Sequence, residues 1–414
     1  METRRRKSSL RNNKRNKTKR RKNKKHRRKR HFKSKTLVLK NKTPKKVKKL
    51  SRRLQKIVDN NRSNLDIGRG NRSKALSYAP TINQDLVSLK SMTRADIIDC
   101  NNTSAFQLKT PLQIAVPGSF FGRQCVAYDH PDARAFLLKN LKANKHIDPS
   151  KVIPPKQLQS NCWFNSMFVT LFVSDKGRKF FHYFRQLMIE GKQASGKPIP
   201  KNLKDAFALL NYAVEVSLTG SRYAYQMDTN SVIKKIYEAI PESYKSKSPY
   251  LVEVDKASNP IKYYNSIISY LGEKSLDMLL VSDASKTNDW QKRVIDELKT
   301  RSHPPHIIVL EIFDQASNHL DNKLDNFTTN GLRYSLDSSV TRDIERQHFC
   351  ATVTCEGKEM GYDGMSFHRM VPMKWKDKIN KPVKWQFQGS NNLDGTPLEW
   401  SFRSGYQLLL YYRV

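Results

Sequence analysis

The chain has 414 residues and a formal net charge of +40, and residues 1–75 carry 33 of its 77 Lys+Arg but only 3 of its 37 acids. Its longest apolar runs, such as Met278-Leu279-Leu280-Val281, fall far short of the ~18 residues a membrane span needs, and no apolar stretch comes after Arg4–Lys7 as a secretory signal would require. Five cysteines without a Cys-x-x-Cys pair argue against a disulfide scaffold and a structural zinc module, and favour a reducing, intracellular setting.

In chain order, residues 1–35 are a low-complexity Lys/Arg/Asn tract. Such a tract has too little apolar surface to offset chain entropy, so a disordered arm is expected. Val47, Leu50, Leu54 and Val58, widened by Ile57, fall at helical spacing and predict a basic amphipathic helix near 45–59. Residues 59–80 read as a polar linker. The division expected is therefore an arm and linker over 1–80 and one domain over 81–414. Pro154-Pro155 imposes an extended entry to the segment around Cys162. Phe164, Met167, Phe168 and Leu171 then sit at i, i+3, i+4 and i+7, one buried helical stripe, with Ser160 or Asn161 as N-cap. Cys162 opens this helix. Asn202–Leu218 (closed by Gly220), Pro260–Leu271 and Asn288–Thr300 read as helices, and Leu276–Val281 and Ile307–Phe313 as strands. From about 331 strands dominate: Leu332–Leu336, His348–Cys355, Met360–Tyr362, Val383–Phe387 and Tyr406–Val414. Helices succeeded by an antiparallel sheet predict an α+β fold.

A cysteine in the first turn of a buried helix is placed for chemistry. The helix N-terminus offers partial positive charge and free N–H groups, which stabilise a thiolate and can donate to an oxyanion. A nucleophilic thiol also needs a base, and the base needs an orienting group. Of the ten histidines, His348 is the best placed, at the head of a clean strand. Folding His348–Cys355 and Met360–Gly364 as a hairpin centred on Cys355–Glu356 sets Asp363 opposite His348, within one register step. A carboxylate there fixes the imidazole tautomer and favours its cation. Cys350 shares a strand face with His348 and reads as a packing residue. His303-Pro304-Pro305-His306 reads as an extended loop, without a third group spaced to complete a metal site.

Gln157-x-x-x-Asn161-Cys162-Trp163-Phe164-Asn165-Ser166 resembles the Cys box of papain-like thiol proteases. It is similar in particular to that of ubiquitin-specific proteases and of the thiol proteases of giant DNA viruses. His348-Phe349-x-Ala351 with Tyr362-Asp363-Gly364 resembles their His box, and Tyr406–Tyr412 their last strand. The resemblance implies a papain-like fold with Cys162 as nucleophile, His348 as base, Asp363 as its partner and Gln157 as oxyanion donor, with Gln159 a rival. It implies no cofactor or metal. The substrate implied is a viral structural protein or a ubiquitin-like conjugate, in a virion or host cytoplasm. Three departures bear on ubiquitin recognition rather than on thiol chemistry. Gln159-Ser160-Asn161 stands where Gly-Asn-Thr is usual, the paired Cys-x-x-Cys fingers are absent, and Gly364 replaces a second acid.

The arm suits a nuclear address or a nonspecific nucleic-acid tether acting through counterion release. Phe32 is its only aromatic residue before 75, so base stacking is not expected. The contrasting reading is a noncatalytic nucleic-acid-binding or packaging protein. No membrane partner is expected.

Overall fold

The computed structural model describes the strand Leu76–Tyr78, Cys100, and residues 102–414 apart from 118–121, 144–145, 194, 283, 285–288, 314–321 and 346–347. The basic tract and the helix expected near 45–59 lie outside the described residues. β1 (Leu76–Tyr78) is succeeded by α1 (Asn102–Phe106) and a hairpin of β2 (Gln113–Pro117) and β3 (Arg123–Ala127). Helices then dominate: α2 (Pro131–Ala143), α3 (Cys162–Phe172), α4 (Asp175–Phe180), α5 (His182–Glu190), α6 (Lys201–Thr219), α7 (Thr229–Ala239), α8 (Glu242–Lys245) and α9 (Pro260–Leu271). β4 (Leu279–Val281), α10 (Trp290–Lys299) and β5 (Ile307–Ile312) form a parallel crossover. The rest is strand: β6 (Asn326–Thr329), β7 (Leu332–Arg342), β8 (Phe349–Cys355), β9 (Lys358–Tyr362), β10 (Met370–Pro372), β11 (Lys384–Phe387), β12 (Trp400–Ser401) and β13 (Gln407–Arg413).

The helix ends obey local chemistry. Asn259 accepts N–H bonds from Ile261 and Lys262, both at 3.1 Å, with Pro260 at the first helical position of α9. Gly220 ends α6 in the left-handed region, φ 68°. The main sheet runs β10-β9-β8-β7-β13-β5-β4, with β6 paired to the start of β7. All of its pairings are antiparallel except β4 with β5.

Both faces of this sheet are covered. Leu408, Leu410 and Tyr412 of β13 pack with the helices, whereas Leu409 and Tyr411 join Trp290 and Phe327 on the other side. A strand buried on both faces is apolar throughout rather than alternating, which is why 408–412 reads as a continuous Leu/Tyr run. The second face carries α10, Trp375 and a small sheet in which β11 pairs with β1 in parallel and β12 antiparallel.

The structure departs from the sequence-based expectation in three places. Leu76–Tyr78, in the stretch read as linker, is a strand against β11. Cys100 and Cys125 form a disulfide, where the cysteine count argued against a disulfide scaffold and for a reducing setting. The fold brings their Cα atoms to 5.7 Å, within bridging range, and a spacing of 25 residues does not reveal that. Third, α3 is buried on every side, not along one stripe. Its polar residues are accordingly bonded. Thr170 Oγ1 lies 3.0 Å from two carbonyls of its own helix, Ser166 O and Met167 O, and Ser166 Oγ reaches Phe349 O at 3.3 Å.

Candidate active site

Cys162 is the first residue of α3 and is 9% exposed. Asn161 occupies the cap position, but its side chain makes no capping bond. Its Oδ1 instead accepts from Leu158 N (3.1 Å) and Asn165 Nδ2 (3.2 Å). The first-turn amides around Cys162 therefore have no side-chain cap and are free to meet an incoming oxygen.

His348 precedes β8 and is 2% exposed. Its Nε2 lies 2.6 Å from Asp363 Oδ1, just past the end of β9. The Cys162 side chain is close enough to favour the imidazolium, although Nδ1 makes no hydrogen bond. Burial favours the neutral imidazole, but Asp363 and Cys162 outweigh it and lift His348 from 6.5 to about 10. Trp400 covers the ring edge-on, with centroids 5.9 Å apart. The three residues singled out from the sequence are thus brought together from α3, the start of β8 and the end of β9.

The hairpin register differs from the expected one. Glu356 and Gly357 form the two-residue turn, both with positive φ (47° and 70°), as a type I′ hairpin turn requires. Ala351 pairs with Tyr362 and Cys355 with Lys358. Continued, this register sets Asp363 level with Cys350 rather than His348. The contact is made along the diagonal, within reach of an imidazole. Asp175 anchors the turn, its carboxylate accepting from Glu356 N (2.6 Å) and Gly357 N (2.9 Å).

Asp343 holds the backbone of His348. Its Oδ1 accepts the His348 N–H at 2.5 Å, and its own N–H donates to His348 O at 2.8 Å. Both bonds fix the main chain that carries the ring. Asn391 is exposed in a loop bridged to Pro397. Cys350 packs in the second-face core, where burial pushes its thiol well up.

Gln157 lies against the Asp363 turn, its N–H donating to Gly364 O at 2.9 Å. Its Nε2 donates to Gln159 O at 3.1 Å, and its Oε1 is buried without a partner. The Gln159 side chain turns toward α7, accepting from Asn230 Nδ2 at 3.0 Å. Gly364 suits this packing because a Cβ there would stand 3.0 Å from Gln157 N and 2.9 Å from Tyr362 Oη. His306 of the His-Pro-Pro-His loop meets Arg413 at 2.8 Å.

Sequence reasoning missed the residues that brace the loop before Cys162. Thr229 Oγ1 donates to Asn165 Oδ1 (2.7 Å) and accepts from Asn161 Nδ2 (2.9 Å). Asn165 Nδ2 also reaches Lys156 O at 3.2 Å, and Asn230 Nδ2 reaches Leu158 O at 3.0 Å. Asn161 and Asn165, spaced i, i+4 on an apolar helix, are a signal that polar partners must exist. No local pattern says that the partners sit on α7. Beyond Asp363, Tyr362 Oη and Arg369 Nη1 donate to Pro155 O (2.8 Å) and Pro154 O (2.5 Å).

No protein-family model matches the chain, and no curated protein sequence does. Among solved structures it is similar to the SAGA Ubp8/Sgf11/Sus1/Sgf73 DUB module bound to ubiquitin aldehyde, at 9% identity over 64% of this chain and 70% of that one, TM-score 0.36. A form of the same module bound to monoubiquitin aligns at 10% identity over 64% and 69%, TM-score 0.38. An essential yeast splicing factor aligns at 10% identity over 80% of each chain, TM-score 0.34. Likenesses at this level leave the chemistry of the site to its own residues.

Proposed function

We propose that this chain is a cysteine peptidase of papain-like type that hydrolyses peptide or isopeptide bonds through an acyl-enzyme. One observation carries the reading: a thiol at an uncapped helix N-terminus beside a buried imidazole whose Nε2 is held 2.6 Å from a carboxylate. The Cys162 sulfur attacks the carbonyl carbon, and the developing oxyanion is met by the Cys162 N–H and the Gln157 amide once its Nε2 leaves Gln159 O. The His348 imidazolium gives its proton to the departing amine, then takes one from the water that cleaves the thioester. Asp363 keeps the imidazole charged and aligned. No cofactor takes part in these steps.

The substrate is a protein: a viral structural protein or a ubiquitin-like conjugate, the two classes implied by the resemblance of the Cys and His boxes. The strongly basic 1–75 segment, net +30, supports a second role as a nonspecific nucleic-acid tether.

Electrophilic ubiquitin and short electrophilic peptides, tested side by side, separate the substrate classes. Cys162 should be labelled ahead of Cys350 and Cys355, and Cys162→Ala should abolish hydrolysis without unfolding the chain. A Cys162 as inert to iodoacetamide as the two buried thiols sinks the reading and favours a noncatalytic nucleic-acid-binding protein.

A further inference from the structure

A cavity of about 360 Å³ lies where α4 meets the Glu356-Gly357 turn of the β8–β9 hairpin, past the C-terminal end of α3. It is separated from Cys162 by the length of that helix, roughly 16 Å. Its volume falls at the small end of the ~300–1,000 Å³ range of small-molecule sites.

Three carboxylates reach this cavity, and each is already held. Asp175 accepts from the amides of Glu356 (2.6 Å) and Gly357 (2.9 Å) and pairs with Arg178 Nη2 at 3.2 Å. Glu356 pairs with the same guanidinium, accepts from Ile147 N at 3.1 Å and lies 3.1 Å from His146 Nδ1. Asp337 Oδ2 accepts from Lys176 N at 2.9 Å. Burial also raises the Asp337 pKa, so this carboxyl opposes an incoming anion less than an exposed one.

The uncommitted groups are cations and a hydroxyl. Lys176 and Lys179 of α4 and Lys376, on the segment after β10, all line the cavity. Among the described residues none of their ammonium groups pairs with a carboxylate. Three like charges around one concavity repel each other. On the same wall Thr354 Oγ1 is buried without a hydrogen-bond partner, which costs stability until something in the cavity meets it. A multiply charged oxyanion answers both deficits, since ammonium and hydroxyl groups can all donate to its oxygens. Phosphate suits so compact a space, because one group concentrates about two charges and three acceptor oxygens.

We infer that this cavity binds a small polyphosphate-bearing anion, held by Lys176, Lys179, Lys376 and Thr354. None of these residues belongs to the proposed catalytic machinery. The test is lysine footprinting of the full chain: an amine-acylating reagent is applied across a tripolyphosphate titration at physiological ionic strength, and each lysine is followed by mass spectrometry. Lys176, Lys179 and Lys376 should lose reactivity together, with one common midpoint, ahead of the lysines of the 1–75 arm. Thr354→Val should raise that midpoint roughly 10-fold, the worth of a hydrogen bond to a charged group. Lys376→Gln should raise it by about 10-fold or more, read at Lys176 and Lys179. Lys179 is exposed, so Lys179→Gln repeats the test without disturbing the core, read at Lys176 and Lys376. Melting curves without ligand show that each variant is folded.

Protection spread evenly over all lysines, the arm included, overturns the site. So does a midpoint unchanged in Lys179→Gln or Thr354→Val. Protection by citrate equal to that by tripolyphosphate refutes the choice of phosphate. Protection of the three lysines by a short DNA duplex but not by tripolyphosphate makes this face a nucleic-acid surface and ends the small-anion inference.

Discussion

Replacing Asp363 with Asn removes a charge while keeping an oxygen in place. In the native protein burial disfavours the His348 cation, yet the ring is held at about 10 instead of 6.5, chiefly by Asp363 and secondarily by Cys162. At 1.36 kcal/mol per pH unit, these neighbours exceed the burial penalty by on the order of 5 kcal/mol. The basic limb of the pH–rate curve reports loss of the imidazolium and should stand near 10 in the native enzyme. Without the carboxylate the downward push of burial is opposed only by Cys162, so the limb should move well down. Turnover of Asp363→Asn at about pH 8 should fall roughly 10²–10⁴-fold and recover in part on acidification. Asp363→Ala should be worse, because Met365 N also loses its acceptor, and His348→Ala nearly as damaging as losing Cys162. The same pair links folding to pH. A group raised on folding stabilises fully below 6.5 and loses that contribution as pH rises through about 10. The Tm deficit of Asp363→Asn should therefore narrow at high pH. Steady-state kinetics across pH, paralleled by the pH dependence of Cys162 alkylation, measures the limb with and without substrate. If Asp363→Ala leaves both turnover and the basic limb in place, Asp363 is only a turn residue and the electrostatic argument is wrong.

Gly364→Ala should lower kcat roughly 10- to 100-fold at a cost of about 1–3 kcal/mol in stability, since the new Cβ presses on Gln157 and Tyr362; unchanged turnover would show that this contact does not position the oxyanion loop. Thr229→Val should cost about 1–3 kcal/mol by denaturant titration and reduce kcat, because it strands two buried amides. Thr229→Ser should restore both, and a Ser variant no better than Val would refute the hydroxyl's part. Deleting residues 1–75 keeps β1 and should leave turnover of a short peptide nearly unchanged, while DNA or RNA affinity and its steep salt dependence are lost; equal affinity with and without the arm, by fluorescence anisotropy, ends the tether proposal.

Local patterning carried much of this protein. The 3.6-residue spacing of Phe164, Met167, Phe168 and Leu171 located α3 and set Cys162 at its head, because a helix repeats its face within one turn. Pro260 and Gly272 bracket α9, and Gly220 closes α6, because proline's fixed φ suits the first helical position and glycine adopts the left-handed cap without strain. The apolar run through 408–412 marked a strand, and its continuity reflects burial on both faces. Cys350, in a strand and away from any helix N-terminus, read as a packing residue, and it lies in the second-face core. Other features were decided only when distant segments met. The hairpin register was set by the Glu356-Gly357 turn and its capture by Asp175, 181 residues upstream of Glu356, so Asp363 reaches His348 diagonally. Asn161 and Asn165 announced a need for partners, but only the placing of α7 beside α3 made Thr229 and Asn230 those partners. The Cys100–Cys125 bridge and the cavity between α4 and the Glu356-Gly357 turn have the same origin. Hydrogen bonds and close contacts between segments far apart in sequence depend on where whole elements dock, and docking minimises exposed apolar surface over the entire fold rather than over any one stretch of it.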